Sequence, residues 1–216
     1  MKKYLGIAVM VVGMQSHSVA ADKLSFPHAA ELTDQAKTIL WQELKTAEAP
    51  NSSHQQIVCL AENIYFEARA ESMEGKAAVA NVTRNRVLDA DFPNTYCEVV
   101  QQGPVRESWK TRQHKDLPKE KRIYYPIKNR CQFSWWCDGQ KDIVWATYMN
   151  GEVIESNMTA WRDSIHVALF VMSGDYSKDP TDGAVFYYNP HIANPSWGRL
   201  YQETAMIGNH RFMIDK

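Results

Sequence analysis

The sequence of 216 residues lacks a long hydrophobic run of the kind that spans a bilayer, which needs about 20 apolar residues. Its one apolar stretch, residues 4–14, follows two lysines and precedes small residues that end at Ser18-Val19-Ala20. A basic start, a short apolar core and a small-residue site are typical of a secretory signal peptide. We therefore predict a signal peptide over residues 1–20, export to the periplasm or the cell exterior, and no stable membrane insertion after cleavage.

The sequence also lacks an excess of either charge. It has 24 Lys and Arg against 25 Asp and Glu, for a net charge of −1. Loss of residues 1–20 would remove two lysines and leave 22 basic against 25 acidic residues, a net charge of −3. This balance argues against a nucleic-acid partner.

Cysteine is scarce, and all four cysteines follow the predicted signal peptide: Cys59, Cys97, Cys131 and Cys137. Their spacings of 38, 34 and 6 residues match no zinc pattern. No motif elsewhere suggests a metal, and we predict no cofactor. An even number of cysteines in an exported chain favours disulfides, although four cysteines allow three connectivities. We predict the pairs Cys59–Cys97 and Cys131–Cys137.

Repeats and low-complexity tracts are missing, and the patterns that remain are mostly helical. Residues 21–56 are predicted to form one amphipathic helix and a linker, and residues 57–216 a single domain. Within the domain, Ser72 is predicted to cap a second helix, and Ser156 or Asn157 a later helix that ends near Gly174. A short strand and a final hairpin complete a mainly helical, disulfide-bonded α+β domain.

Residues 103–130 differ from the rest, with nine Lys or Arg against three Asp or Glu. Such a charge run is usually a solvated surface loop. A long basic loop could also be a flap that grips an acidic polymer. Both interpretations stay open at this point.

A helical projection of residues 57–70 singles out Glu67. Ile57, Ala61, Ile64 and Ala68 fall on one side, and Glu67 lies at the border of that apolar face. Glu62 and Arg69 fall on a different side and are expected to be ordinary surface charges.

A carboxylate beside apolar surface loses hydration, which raises its pKa and keeps it protonated closer to neutral pH. Cleavage of a glycosidic bond needs such a general acid, because the departing sugar oxygen must be protonated. The alternative is an ion pair between Glu67 and a cation of the second helix, Arg84 or Arg86.

Four stretches stand out together: "AENIYFEARAESMEGKAAVANVTRNRV", "CQFSWWCDG", "DPTDGAVFYYNP" and "IGNHRF". In this order they resemble the SleB/CwlJ-type cell-wall hydrolases, a family that includes spore-cortex-lytic enzymes. The most specific is the run E-A-R-x-E-x-x-x-G-x-x-A-V-A-x-V-x-x-N-R-V, which starts at Glu67. Many relatives have glycine where Ala70 stands, and residues 103–130 are longer than the corresponding connection of the spore enzymes.

The resemblance implies a lysozyme-like catalytic domain that acts on peptidoglycan glycan strands. It also implies lytic transglycosylase activity that forms 1,6-anhydro-muramyl ends, with Glu67 as the general acid and base. A two-carboxylate glycosidase would need a second acid, for which Glu71, Asp138 and Asp182 are the candidates. The sequence identifies no regulatory protein partner.

A glycan groove should carry aromatic and amide groups, because sugars present apolar faces ringed by hydroxyls. We predict that Phe133, Trp136 and Phe186 are buried and that the residues alternating with them face outward. The predicted substrate contacts are Gln132, Ser134, Trp135, Tyr187, Tyr188 and Asn189. His191 and His210 are expected to be structural hydrogen-bonding residues.

Two other functions stay open. The first is a zinc-dependent N-acetylmuramoyl-L-alanine amidase, which attacks the same polymer at another bond. The second is a non-catalytic wall-binding protein that keeps the fold.

Overall fold

The structure is a computed structural model, and it describes most of the chain after the predicted signal peptide. The described residues are 30–144, 148–149, 152–153, 155–174 and 179–215. The predicted signal peptide, residues 1–20, lies outside them.

Helices hold more of the described residues than strands do. They are α1 Asp34–Thr46, α2 His54–Ala68, α3 Met73–Leu88, α4 Tyr96–Val100, α5 Trp109–Arg112 and α6 Glu155–Ser173. The Ser72 hydroxyl accepts a hydrogen bond of 3.2 Å from the Gly75 N–H, which confirms the predicted cap of α3. The predicted cap of α6 is wrong, because that helix already begins at Glu155. Gly174 has φ +78°, as expected for a residue that follows a helix.

The strands are short. They are β1 Glu31–Leu32, β2 Val105–Glu107, β3 Tyr124–Pro126, β4 Ile143–Val144, β5 Tyr148–Met149, β6 Glu152–Val153, β7 Phe186–Tyr188, β8 Gln202–Ile207 and β9 His210–Ile214. Strands β7, β9 and β8 form an antiparallel sheet in that order. The remaining strands form two-stranded pairs, of which β1–β4 is parallel. The predicted mainly helical α+β class with a small late sheet is confirmed.

The main core lies between α1, α2, α3 and α6. Ile39, Leu40 and Leu44 of α1 belong to the same buried cluster as Ile64 of α2 and Trp161 of α6. The Trp161 indole N–H also donates to the Ala36 carbonyl at 3.0 Å, which fixes α1 on α6. Helix α1 is therefore packed into the domain.

Helix α3 is buried on two sides. Ala77 and Ala80 face the helical core, whereas Ala78 and Val82 pack against Ala184 and Phe212 of the sheet region. Small side chains let both neighbours approach closely, and residues 75–83 are buried without interruption. Helix α3 thus joins the helices to the sheet, and the site lies at this junction.

Both predicted disulfides are present. The Cys59–Cys97 disulfide joins α2 to α4. The Cys131–Cys137 disulfide closes a short loop between cysteines six positions apart. Within the described residues, every helix is too short or too polar to cross a bilayer.

The prediction that Glu62 is an ordinary surface charge is wrong, because its side chain is only 2% exposed. The parallel pairing of β1 with β4 brings Ala30 and Asp142 over this side of α2. Burial raises the pKa of Glu62 to about 8, a hydrogen bond from the Ala30 backbone lowers it, and Asp142 raises it further. The helical projection considered only α2, whereas the burial of Glu62 depends on the β1–β4 pair that covers this helix.

The raised pKa of Glu62 makes stability depend on pH. Above about pH 4.5 the unfolded chain releases this proton freely while the folded protein retains it, so the free energy of unfolding falls as the pH rises towards 8. Glu62→Gln should abolish this loss, and its stability relative to the parent should increase steadily from pH 5 to pH 8. Denaturant unfolding across this range measures the difference.

Glu120→Gln, on an exposed side chain, is the matched control for loss of one carboxylate. A stability difference between Glu62→Gln and the parent that is the same at pH 5 and pH 8 would contradict the burial account.

Candidate active site

Glu67 lies in the last turn of α2, one residue before the helix ends. Its side chain is partly buried, and its Oε2 accepts a hydrogen bond of 2.9 Å from the Tyr187 hydroxyl. Tyr187 is the central residue of β7 and pairs with Phe212 of β9. The contact joins the helical layer to the sheet across 120 residues of sequence.

Two opposing effects act on the Glu67 carboxyl. Burial raises its pKa, whereas the Tyr187 hydrogen bond and the charge of Arg86 lower it, and the net shift is upward. Burial also raises the pKa of Tyr187 well above its usual value, so the phenol stays protonated and remains a donor. The geometry therefore favours a protonated Glu67 at higher pH than an exposed glutamate.

Arg86 is one of the two cations considered as ion-pair partners of Glu67. It is buried, its Nε donates to the Val185 carbonyl at 2.7 Å, and its guanidinium lies over the Phe133 ring at 5.1 Å. Arg86 thus attracts Glu67 through its charge while its Nε is committed to the backbone. Arg84 acts instead on Tyr96.

The neighbouring Asn85 helps to place β7. Its Nδ2 donates to the Ala184 carbonyl at 3.0 Å and to Asp179 Oδ2 at 2.7 Å. Asn85 and Arg86 therefore hold consecutive carbonyls, those of Ala184 and Val185, just before β7 begins.

Asp179 is a residue that sequence reasoning missed. It accepts hydrogen bonds from Asn85, from Thr181 and from the Gly183 N–H. Burial raises the pKa of Asp179, but these hydrogen bonds outweigh it and hold the pKa below its usual value. The turn sequence "DPTDG", which begins with Asp179, could have indicated that this aspartate binds the turn.

Asp182, a predicted second carboxylate, is exposed in the same turn with φ +53°. The position is a left-handed turn position, for which Asp is well suited. The Asp138 carboxylate accepts from the Gln140 N–H at 2.6 Å.

Glu71, the other predicted second carboxylate, binds the turn between β8 and β9. Its Oε1 accepts a hydrogen bond of 2.7 Å from Asn209 Nδ2, and its Oε2 accepts one of 3.3 Å from the Asn209 N–H. His210 Nδ1 lies 3.9 Å from Oε1. These contacts attach Glu71 to the turn between β8 and β9.

Two glycines make room for Glu71. Gly208 has φ +58°, and a Cβ at this position would overlap Glu71 Oε2. A Cβ on Gly75 would come within 2.8 Å of Glu71 Cβ. Glu71 and Gly75, the glutamate and glycine of the E-x-x-x-G part of the motif, therefore pack against each other.

In the loop closed by Cys131 and Cys137, buried and outward-facing residues do not alternate as predicted. Trp135 is buried, stacks on Phe66 at 4.5 Å, and donates from Nε1 to Asn63 Oδ1 at 2.9 Å. The outward prediction for Trp135 is wrong because residues 134–137 form a 3₁₀ turn, which lacks the two-residue period of a strand. Trp136, predicted to be buried, is only partly buried.

The other predicted substrate contacts are more accessible. Gln132 and Ser134 are exposed on this loop. The Tyr188 hydroxyl accepts from Arg211 Nη1 at 3.3 Å, and Asn189 Oδ1 accepts from the His191 N–H at 2.9 Å. Tyr188 and Asn189 thus help to fix the chain after β7.

His210 packs against the site from β9. It is buried, its ring lies 5.2 Å from that of Tyr187, and burial lowers its pKa while Glu71 raises it. Across the described ranges, His, Cys, Asp and Glu side chains form no group of three that could hold a metal ion.

The family model described as Cell Wall Hydrolase matches residues 70–213, two thirds of the chain. This chain belongs to the cell wall hydrolase family. The matched range begins three residues after Glu67 and includes Glu71, Tyr187 and His210.

Curated relatives of this cell wall hydrolase are spore cortex-lytic enzymes. The protein from Bacillus cereus is 28% identical over 169 residues, which are 78% of this chain and 48% of the relative. The protein from Bacillus subtilis is 28% identical over 172 residues, which are 79% of this chain and 42% of the relative. The chain thus spans about half the length of these relatives.

One solved structure similar to this cell wall hydrolase is the catalytic domain of the germination-specific lytic transglycosylase SleB from Bacillus anthracis. It is 28% identical, with 77% of this chain and 100% of that chain covered, at a TM-score of 0.44. The catalytic domain of the Bacillus cereus SleB protein is also 28% identical, at a TM-score of 0.42.

The packing of Glu71 against Gly208 predicts a specific loss of stability. Gly208→Ala should lower the free energy of unfolding by more than the roughly 1–2 kcal/mol of a left-handed Ala, because the new Cβ also displaces Glu71. Gly174→Ala is the matched control, since Gly174 also has positive φ but has nothing within 4 Å of its Cβ position. Denaturant unfolding of both variants measures the difference.

A double-mutant cycle separates backbone strain from the clash. In a Glu71→Ala background, Gly208→Ala should cost less than in the parent. Equal costs in the two backgrounds would show that Glu71 does not restrict this turn.

Proposed function

We propose that this chain cleaves the glycan strands of peptidoglycan as a lytic transglycosylase, with Glu67 as its single acid and base. The observation that carries the proposal is the partly buried Glu67 carboxyl, with a raised pKa and a hydrogen bond from Tyr187. The family and the names of its relatives support peptidoglycan as the substrate.

In the first half-reaction, protonated Glu67 gives its proton to the oxygen that links C1 of the muramyl sugar to the next sugar. The C1–O bond breaks, and the departing sugar leaves with a hydroxyl. The N-acetyl oxygen of the muramyl sugar bonds to C1 and stabilises the positive charge there. No second protein carboxylate is needed, and both oxygens of Glu71 accept hydrogen bonds from Asn209.

In the second half-reaction, the Glu67 carboxylate takes the proton from the 6-hydroxyl of the same muramyl sugar. That oxygen attacks C1 and displaces the N-acetyl oxygen. The product carries a 1,6-anhydro ring, water is not consumed, and Glu67 is protonated again. Burial serves the first step, because it raises the pKa of Glu67 and so favours the protonated acid.

Residues on two loops would bind the sugars. Gln132 and Ser134 offer polar groups on the exposed side of the Cys131–Cys137 loop, and Trp135 supports that loop from behind. Tyr188 and Asn189 would contribute from the chain around the end of β7. The proposed place of action is the periplasm or the cell exterior, after removal of residues 1–20.

The test of the activity is mass spectrometry of purified sacculi digested with the mature protein. We expect muropeptides with 1,6-anhydro ends from the parent. Glu67→Gln should lower turnover by at least about 10²-fold, because it removes the general acid. Glu71→Gln is the matched control: it should destabilise the β8–β9 turn and leave anhydro ends as the product.

Other products would contradict specific parts of the proposal. Ordinary reducing ends alone would show hydrolysis in place of transglycosylation. Free stem peptides, with activity lost on chelation, would show an amidase. Binding without any cleavage by the parent would show a wall-binding protein.

Tyr187→Phe tests the hydrogen bond to Glu67 separately. Since this bond lowers the pKa of Glu67, its loss should raise that pKa and move the alkaline limb of the pH–activity profile to higher pH. The ring remains to pack against His210 and Phe212, so folding should be retained. An alkaline limb that stays in place or moves to lower pH would show that Tyr187 does not tune Glu67.

A further inference from the structure

Residues 103–130, the basic segment, form a folded unit on the surface of the domain. Strands β2 and β3 pair antiparallel, with Arg106 opposite Tyr125 and Glu107 opposite Tyr124. Helix α5 follows β2 directly, and Ser108 caps it through a hydrogen bond from the Lys110 N–H. The segment is therefore more ordered than a solvated loop.

A polar network holds the segment together. Arg122 Nη1 pairs with Glu107 Oε1 at 2.8 Å, and its other nitrogens donate to the carbonyls of His114, Lys115 and Leu117. The hydrogen bond from Arg122 lowers the pKa of Glu107, which therefore stays ionised and neutralises Arg122. Most other cations of the segment remain exposed.

One face of the segment combines aromatic rings with arginines. A surface pocket is lined by Arg106, Glu107, Ser108, Trp109, Arg112 and Tyr125. Trp109 is 59% and Tyr125 is 52% exposed, an unusual exposure for large rings and one typical of binding surfaces. Since Glu107 is paired with Arg122, Arg106 and Arg112 leave the pocket with a surplus of positive charge.

The base of the segment is joined to the active-site helix. Gln132 N–H donates to the Gln102 carbonyl at 2.9 Å, and Gly103 packs so closely on Cys131 that an added Cβ would lie 2.9 Å from its Sγ. Cys131 is bonded to Cys137, and Trp135 of that loop stacks on Phe66, the residue before Glu67. A ligand on the basic segment would thus be connected to Glu67 through the Cys131–Cys137 loop and Phe66.

We propose that this pocket binds the carboxylate-bearing stem peptides of peptidoglycan together with the sugar that carries them. Guanidinium groups recognise carboxylates through paired, charge-assisted hydrogen bonds, which fits Arg106 and Arg112. Exposed indole and phenol rings pack on the apolar faces of sugars, which fits Trp109 and Tyr125. The proposal rests on the proposed peptidoglycan substrate and adds a second contact outside the cleavage site.

The test measures binding without turnover, in the Glu67→Gln background. The probes are purified sacculi, with affinity read by co-sedimentation, and the soluble glycan strands that an amidase releases from them by removing the stem peptides, with affinity read by isothermal titration calorimetry. Arg106→Gln/Arg112→Gln should weaken binding to intact sacculi by about tenfold or more, and should have little effect on stripped strands. Trp109→Ala should weaken binding to both, because the ring contacts sugar.

Lys119→Gln/Lys121→Gln is the matched control, because it removes the same two positive charges from exposed positions outside the pocket. Equal loss of binding in the two double variants would reduce the effect to general charge and overturn the proposal. Tighter binding to a short DNA duplex than to sacculi, through the same arginines, would also overturn it. Since the assay involves no cleavage, an inactive parent that still binds through these arginines would refute the proposed activity alone.

Discussion

The proposed active site depends on how α3 holds the start of β7. Asn85 and Arg86 donate hydrogen bonds to the consecutive carbonyls of Ala184 and Val185, and two residues later the Tyr187 hydroxyl reaches Glu67. Neither α2 nor β7 could place this contact alone. The acid acquires its environment only when the helical layer and the sheet are docked through α3, so the fold and the chemistry share one set of contacts.

The pKa of Glu67 depends on burial, which raises it, and on Tyr187 and Arg86, which lower it. Full pairing with Arg86 would favour the carboxylate and remove its use as an acid at neutral pH. Instead, Arg86 Nε is bound to the Val185 carbonyl and its guanidinium lies among aromatic rings, and burial of Glu67 prevails. Each unit of pKa shift corresponds to about 1.4 kcal/mol, so a modest change in burial or hydrogen bonding is enough to retune the acid.

The sequence was sufficient for features that depend on local pattern. The Ser72 cap of α3, the late hairpin and both disulfides are as predicted. The border position of Glu67 also followed from the helical period alone, although its role as the acid stays a proposal.

Features that depend on distant segments could not be predicted. Glu62 is buried because the pairing of β1 with β4 covers it, and Trp135 points inward, where it stacks on Phe66 and binds Asn63, 72 residues away. The hydrogen bonds that Glu71 accepts from Asn209, 138 residues away, have no signature in the sequence, and its role as a second carboxylate stays a prediction. A single sequence contains the residues that make such contacts but does not show which of them contact each other.

The most direct measurement is a titration of the Glu67 carboxyl by NMR, with ¹³C-labelled glutamate and Glu67→Gln to assign the signal. We expect its midpoint clearly above the ordinary glutamate value of 4.5, and a further rise in Tyr187→Phe. A midpoint at or below 4.5 would mean that Glu67 is an ordinary ionised carboxylate, and the proposed acid–base role would be wrong.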